Sequence, residues 1–280
     1  MKNILVGGAD SYVGTSFMQF MAKWPDDYNV ECVDVRNDQW KQQSFSKYDS
    51  IFFLAGIAHI KEIEENKPLY YQVNRDLPIE FAKKAKEDGV KHFVFISSMS
   101  VYGLETGVID KNTVPAPKTN YGISKLQAEE GLNQLVDDNF QICVIRPPMI
   151  YGKGCRGNFN SVVSLVKKLP AFPRLKNQRS LIYIDNLCGF VKKAIDENMK
   201  GVYFPQNREY MNTTQMASWI AESLNKKVYM SYLLGFGVKV LQLFLSVARK
   251  GFGSLIYKDT EDFDYDYCVV DLEESVKRSV

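Results

Sequence analysis

Tyr121-Gly122-Ile123-Ser124-Lys125 sets a phenol and an ammonium four residues apart, a spacing that puts both on one face of a helix. An ammonium beside a phenol favours the phenolate, so the pair can serve as a general base without histidine. Such a base suits removal of an alcohol proton while hydride leaves the same carbon. Ordinary surface pairs share this spacing, so its company decides. Upstream, Phe93-Val94-Phe95-Ile96 runs into Ser97-Ser98-Met99-Ser100, and a strand there would deliver hydroxyls at its carboxyl end, where open α/β sheets bind ligands. Ser98 can hold a substrate oxygen beside Tyr121; serines at a strand end otherwise serve turns.

A second cluster reads as an anion site. Gly7-Gly8-Ala9-Asp10-Ser11-Tyr12-Val13-Gly14 joins an apolar run to a helical pattern, where free N–H groups and the helix dipole favour a diphosphate and glycine lets the backbone approach it. An ordinary tight turn uses the same residues. Asp34 ends the next apolar run, 20 positions after Gly14, and its carboxylate can accept the hydroxyls of an adenosine ribose. Together the two features point to a dinucleotide. Arg36 keeps NADP open, since a guanidinium accommodates a 2′-phosphate, but the Asp34 carboxylate would repel that phosphate, which favours NAD.

These groups need rigid elements behind them. β-branched and aromatic runs at Asn3–Val6, Val30–Asp34, Ile51–Ala55, Phe93–Ser97, Ile142–Arg146, Leu181–Ile184 and Val202–Phe204 predict strands. Between them, Ser11–Ala22, Leu77–Lys86, Tyr121–Leu135, Asn158–Lys168, Asp185–Ile195 and Thr213–Leu224 carry apolar residues at helical spacing. The alternation predicts an α/β fold, a doubly wound parallel sheet, with residues 1–150 as the dinucleotide-binding part. Residues 151–280 are expected to form a smaller substrate-binding region, with some segments returning to the sheet. Only 16 residues, Val35 to Ser50, separate the second and third strands, enough for one crossover, so the sheet is expected to be one strand short of the largest doubly wound forms.

Composition narrows the classes. Of 280 residues, 45% are apolar and 24% charged, a globular balance, and 35 Lys+Arg against 33 Asp+Glu leave +2, which removes the electrostatic case for nucleic acid. Cys32, Cys143, Cys155, Cys188 and Cys268 form no C-x-x-C pair and read as buried thiols in a reducing compartment. With His59 and His92 the only histidines, a three-histidine metal site cannot be built, and no metal is expected. The apolar run at the start stops at Gly7-Gly8, too short for a signal segment, so a cytoplasmic location is expected.

In this order the motifs resemble those of the extended short-chain dehydrogenase/reductases, the NAD-dependent nucleotide-sugar epimerase/dehydratase family. The glycine turn, Asp34, Leu54-Ala55-Gly56, Asn74, Ser97-Ser98, Val101-Tyr102-Gly103, Tyr121 to Lys125, Arg146 to Gly152 and Arg179 to Leu187 all occur in the family's sequence. The resemblance implies that Gly8, Ser11 and Gly14 stand at the family's three glycine positions, Ser11 being a departure, with Tyr12 and Val13 between them on the cofactor. It implies further that Asp34 holds the adenosine ribose, that Leu54, Ala55 and Gly56 line the cofactor path, and that Lys125 also bonds the nicotinamide ribose. Ser98 takes the catalytic hydroxyl position and Tyr121 that of the base, while Asn74 reads as structural. Asn158 and Arg179 are the candidates for the substrate diphosphate, against an N-cap and a rim salt bridge. Met149 replaces a polar residue common in the family. His59 follows the third strand and reads as a polar loop residue.

The family's 4,6-dehydratases carry an Asp-Glu pair just after the catalytic hydroxyl, where this chain has Met99 and Ser100. The resemblance therefore implies hydride chemistry without dehydration: an NAD-dependent 4-epimerase of a UDP-hexose or UDP-N-acetylhexosamine. A 4-keto-sugar reductase and a non-catalytic dinucleotide-binding protein are the alternatives. Family dimers pair the helices corresponding to Leu77–Lys86 and Tyr121–Leu135, which implies a homodimer. Tyr232 to Ala248 is strongly apolar, with Lys239, Gln242, Ser246 and Arg249 drawing a polar stripe. Too interrupted to span a bilayer, it predicts an amphipathic helix that packs into the core of the substrate-binding region, with a membrane-surface role as the alternative.

Overall fold

The computed structural model describes residues 1–58, 62–258 and 264–280; His59 lies outside the described residues. The chain runs β1 (Lys2–Gly7), α1 (Tyr12–Met21), β2 (Tyr28–Val33), β3 (Ser50–Phe53), α2 (Lys67–Tyr71), α3 (Leu77–Glu87), β4 (His92–Ile96), β5 (Gly107–Ile109), α4 (Asn120–Asn133) and β6 (Gln141–Ile145). It continues through β7 (Met149–Tyr151), α5 (Asn158–Lys168), β8 (Ala171–Pro173), β9 (Leu181–Tyr183), α6 (Ile184–Asp196), β10 (Gly201–Tyr203) and α7 (Thr213–Ser223). The last elements are β11 (Tyr229–Ser231), α8 (Tyr232–Phe244), α9 (Ser246–Phe252), β12 (Leu255–Tyr257) and α10 (Leu272–Arg278).

Two compact units share these elements: residues 1–103, 114–147 and 188–205 form the first, and 104–113, 148–187 and 206–280 the second. The first holds a six-stranded sheet in the order β10-β6-β4-β3-β1-β2, parallel throughout. It is the doubly wound α/β sheet the apolar runs predict. Leu5, Ile51, Phe93 and Ile142 face one another across four strands and are all buried; a sheet covered on both faces needs such continuous apolar runs.

The short crossover between β2 and β3 is made by a 3-10 turn, Asp38–Gln42, in place of a long helix. Its Trp40 and the following Phe45 supply the apolar cover, and Phe45 stacks on Phe81 of α3 at 4.9 Å. Strand order reverses between β1 and β3, which opens a crevice at their carboxyl ends. His92 is buried in β4; its Nε2 lies 2.9 Å from the Met199 carbonyl and its Nδ1 2.9 Å from Ser50 Oγ, and burial lowers its pKa. Cys143, Cys155 and Cys188 are buried, but Cys268 is half-buried and Cys32, on the edge strand β2, is exposed.

The second unit is built from two-stranded parallel pairs, β7 with β9, β8 with β11 and β5 with β12. Its apolar segment corrects the expectation twice. Tyr232 to Ala248 is two helices, broken at Leu245, whose backbone is extended. In α9 the polar stripe turns inward, with Ser246 Oγ and Arg249 Nε both donating to the Glu105 carboxylate, the latter at 2.7 Å, while Lys239 of α8 is exposed. These donors, Ser246 first, hold the Glu105 carboxyl down at about 2. Helix α8 meets β8 through Gly235, where a Cβ would stand 2.1 Å from the Arg174 carbonyl oxygen.

Candidate active site

At the crevice, β1 ends in Gly7-Gly8, and Gly7 O accepts hydrogen bonds from the N–H groups of Leu54 and Ala55 at 3.0 and 3.1 Å. Gly8 takes φ +97°, and a Cβ there would stand 2.7 Å from the Ala55 nitrogen; a Cβ on Gly14 would stand 2.6 Å from Ala9 Cα. Both positions therefore admit glycine alone. Ser11 is the N-cap of α1, its hydroxyl accepting from Gly14 N–H at 3.1 Å, so the departure from glycine serves the helix start. Tyr12 and Val13 open the helix, and its first turn carries no acidic residue. A diphosphate fits this turn, because the first turn of α1 carries no acidic residue against the N-terminal dipole and Asp10, just before the cap, is turned to Arg36.

Asp34 follows β2 and is held by its neighbour: Arg36 donates to it from Nε and Nη2, each at 2.9 Å, and from its backbone N–H. The Arg36 guanidinium also lies 3.0 Å from Asp10, and all three groups are exposed. Hydrogen bonds from Arg36 lower the Asp34 pKa. The pair offsets part of the negative charge on which the preference for NAD over NADP rested.

The stretch after β3 is fixed by Asn74. Its side chain accepts from Ile57 N–H at 2.8 Å and donates to Ile57 O at 3.0 Å, and it sits in the π turn Gln72–Asp76 between α2 and α3. Gly56 beside it lies so close to α4 that a Cβ would stand 3.3 Å from Lys125 Nζ.

Helix α4 brings Tyr121 and Lys125 to the carboxyl end of β4. Thr119 caps it through Gly122 N–H at 3.1 Å, and the Glu62 carboxylate accepts from the N–H groups of Asn120 and Tyr121 at 3.1 and 3.2 Å. Ser98 caps the 3-10 turn Met99–Tyr102, and Gly122 lets α4 press on that turn: a Cβ there would stand 2.7 Å from Ser100 O. Ser98 is thereby brought beside Tyr121, close enough to bear on the ionisation of its hydroxyl.

The electrostatics differ from the simple phenol–ammonium expectation. Burial raises the Tyr121 pKa, Ser98 opposes the rise, and Tyr70 adds to it. Lys125 does not bring it down, because its Nζ turns to the Ile96 carbonyl at 2.8 Å and lies 4.6 Å from the centre of the Phe95 ring. Burial lowers Lys125 itself to about 7, with Glu129 pulling the other way. Glu129, one turn after Lys125, is buried with Arg146, whose Nε and Nη2 donate to it at 3.1 and 2.5 Å. Arg146 Nη1 donates to the Tyr102 hydroxyl at 2.8 Å, and Ser97 Oγ donates to Glu129.

Thus Ser98 is brought to Tyr121, Gly56 to Lys125 and Gly8 to Ala55. Glu62 and Glu129 were missed. For Glu129 a signal existed, the four-residue step from Lys125; for Glu62 no local pattern exists. Asn158 and Arg179 belong to the second unit. Asn158 is the exposed first residue of α5, whose N-cap is Gly157, so the N-cap reading of Asn158 fails. Arg179 bridges Met211 through its backbone, and its guanidinium donates to the Gly253 carbonyl at 2.9 Å, not to a carboxylate. Burial lowers its pKa.

Among solved structures, a UDP-glucuronic acid 4-epimerase from Bacillus cereus in complex with NAD superposes with a TM-score of 0.74 at 18% identity, covering 99% of this chain and 97% of that one. At that identity the likeness speaks for the fold. By sequence, the chain is 30% identical over 255 residues to UDP-glucose 4-epimerase of Vibrio cholerae, covering 81% of this chain and 77% of the relative. It is 29% identical over 261 residues to N-acetyl-alpha-D-glucosaminyl-diphospho-ditrans,octacis-undecaprenol 4-epimerase of Escherichia coli O157:H7, covering 83% and 76%. The family model for NAD dependent epimerases/dehydratases matches residues 4–210, from the first strand past the last strand of the large sheet. On the strength of that span and the Vibrio likeness, the chain belongs to the NAD dependent epimerase/dehydratase family.

Proposed function

We propose that this chain is an NAD-dependent 4-epimerase of a sugar carried on a diphosphate, with a UDP-hexose or UDP-N-acetylhexosamine as its leading substrate. The observation that carries the reading is the placing of Ser98, just after β4, beside Tyr121, at the start of α4, with Met99 and Ser100 following, which cannot serve a dehydratase. Both relatives above are named as 4-epimerases of diphosphate-linked sugars.

In this reading Gly8, Ser11, Tyr12, Val13 and Gly14 hold the cofactor diphosphate, Asp34 its ribose, and Leu54, Ala55 and Gly56 the path to the nicotinamide. When bound, NAD supplies an acceptor and donor of hydride. Ser98 holds the C4 oxygen and Tyr121 takes the hydroxyl proton and later returns it. The sugar passes through a 4-ketone, turns over, and on regaining hydride at the other face of C4 and the proton on its oxygen leaves as the 4-epimer. Lys125, one turn on from Tyr121 in α4, bonds the nicotinamide ribose, and Asn158 and Arg179 are assigned to the substrate diphosphate. A homodimer through α3 and α4 belongs to the same proposal.

The test is to incubate purified protein with UDP-glucose, UDP-galactose and their N-acetyl forms without added reductant and to follow epimers by NMR. Interconversion without net cofactor consumption is expected. Absence of epimers from a preparation that holds cofactor would favour the 4-keto-sugar reductase, and binding without turnover of either substrate would favour the non-catalytic alternative. One observation favours a second carrier, polyprenyl diphosphate in place of UDP: the outward apolar face of α8, beside the likeness to the undecaprenol-linked epimerase.

A further inference from the structure

The apolar surface of the second unit is concentrated in one place. Of the 21 large apolar residues exposed among the described residues, 11 lie between Tyr229 and Val247. Leu233, Leu243, Phe244 and Val247 are 80, 74, 76 and 81% exposed, and Gly235 alone of α8 is buried. Patches of this kind mark a surface that is covered by something else.

Charge says by what. From Ser223 to Lys258 the chain has six Lys or Arg and no Asp or Glu, although the whole chain is only +2. Lys227 and Lys239 are exposed, Lys250 and Arg249 share one acid, Glu105, and Arg174 lies over the Tyr232 ring at 4.6 Å. Symmetric pairing with a second copy would set this net cationic segment against itself. A bilayer with anionic headgroups offers the opposite charge at the rim and acyl chains beyond it. Aromatic rings beside cations, as at Tyr232 and Arg174, suit the headgroup level. Among the described residues no helix is long and apolar enough to cross a membrane, so the segment would lie along the surface.

We propose that α8 and the Leu245 link to α9 lie in the headgroup–acyl boundary of an anionic bilayer, with Leu233, Phe236, Leu243, Phe244 and Val247 among the chains and Lys239 at the phosphates. Of the polar stripe, Ser246 and Arg249 are free for no such role, since they are bound inward to Glu105, whereas Lys239 is exposed. Its use, bringing the enzyme to a lipid-linked sugar, rests on the polyprenyl reading above; the docking itself does not.

The full chain is sedimented with vesicles of phosphatidylcholine, with and without phosphatidylglycerol. Wild type is expected to pellet with the anionic vesicles, and Leu243→Glu and Phe236→Glu each to lower partitioning at least about tenfold. Both variants should keep the wild-type melting temperature and the turnover of soluble UDP-sugar, which separates failure of docking from failure of the epimerase reading. Wild type remaining in the supernatant, or variants that pellet as well as wild type, would overturn the proposal. If wild type ignores vesicles and elutes larger than Leu243→Glu in gel filtration, the face belongs to a second copy. Equal binding to neutral vesicles would overturn the part assigned to the cations.

Discussion

Helices α4 and α8 are 14 and 13 residues long, yet one buries Lys125 and Glu129 while the other leaves Leu233 and Leu243 in the open. In α4 the cost of burying charge is offset by partners: Arg146 and Ser97 meet Glu129, and the Ile96 carbonyl meets Lys125. In α8 a single glycine seats the helix, so little of its sequence is explained by the stability of its own unit. Buried ions and bare apolar surface are the two departures from ordinary partition that carry information. The first collects where a proton must be held at an unusual pKa, and the second where a partner completes the surface. The difference teaches that the same chain can bury charge among partners in one region and leave apolar surface bare in another.

The contrast can be broken in graded steps. Tyr121→Phe removes the proton carrier and should lower kcat about 10³-fold, about 4 kcal/mol, with the melting temperature unchanged; near-normal turnover on the UDP-sugars would move the chemistry elsewhere. Glu129→Ala leaves Arg146 buried without its carboxylate and should cost about 3 kcal/mol or more in urea unfolding; a loss below about 1 kcal/mol would mean that water already reaches the pair.

Lys125 gives a pH signature of known sign. Its pKa in the fold is about 7 against 10.5 for the free side chain, so between these values the unfolded chain holds a proton that the folded chain has released. Its contribution to stability therefore rises with pH through that window, by about 2 kcal/mol between pH 7 and 9, and is lost as pH falls toward 7. Lys125→Met should remove that slope, read as the difference between wild-type and variant unfolding curves at the two pH values. The smallest effect belongs to α8, where Leu243→Glu should change unfolding free energy by less than about 0.5 kcal/mol. A larger loss would place Leu243 in a core after all.

What could be read from the sequence was whatever is encoded locally. β1, β3, β4 and β6 announce themselves as apolar runs because both faces of their sheet are covered. Gly8 and Gly14 stand out because a turn that tight excludes a side chain, and Tyr121 and Lys125 because a helix has a fixed period. Long-range pairings were silent. Glu62 reaches the start of α4 across 58 and 59 residues, and nothing near it in sequence requires that. The orientation of α9 was missed for the same reason: a polar stripe shows that a helix has two faces but not which faces in, and for α9 that was decided by Glu105, 141 residues before Ser246. Likewise Trp40 sits in a stretch without helical period, yet it closes the core where a helix was absent.

The two units are threaded through each other, and this bears on how the protein is made. Strand β10, which completes the large sheet beside β6, leaves the ribosome only after residues 104–113 and 148–187 of the other unit have emerged. At roughly 5–20 residues per second, some seconds pass in which β6 is an open edge, the kind that pairs with the wrong strand. A nascent chain arrested once residue 145 has cleared the exit tunnel should therefore engage chaperones, and the engagement should lapse once residue 205 has cleared it.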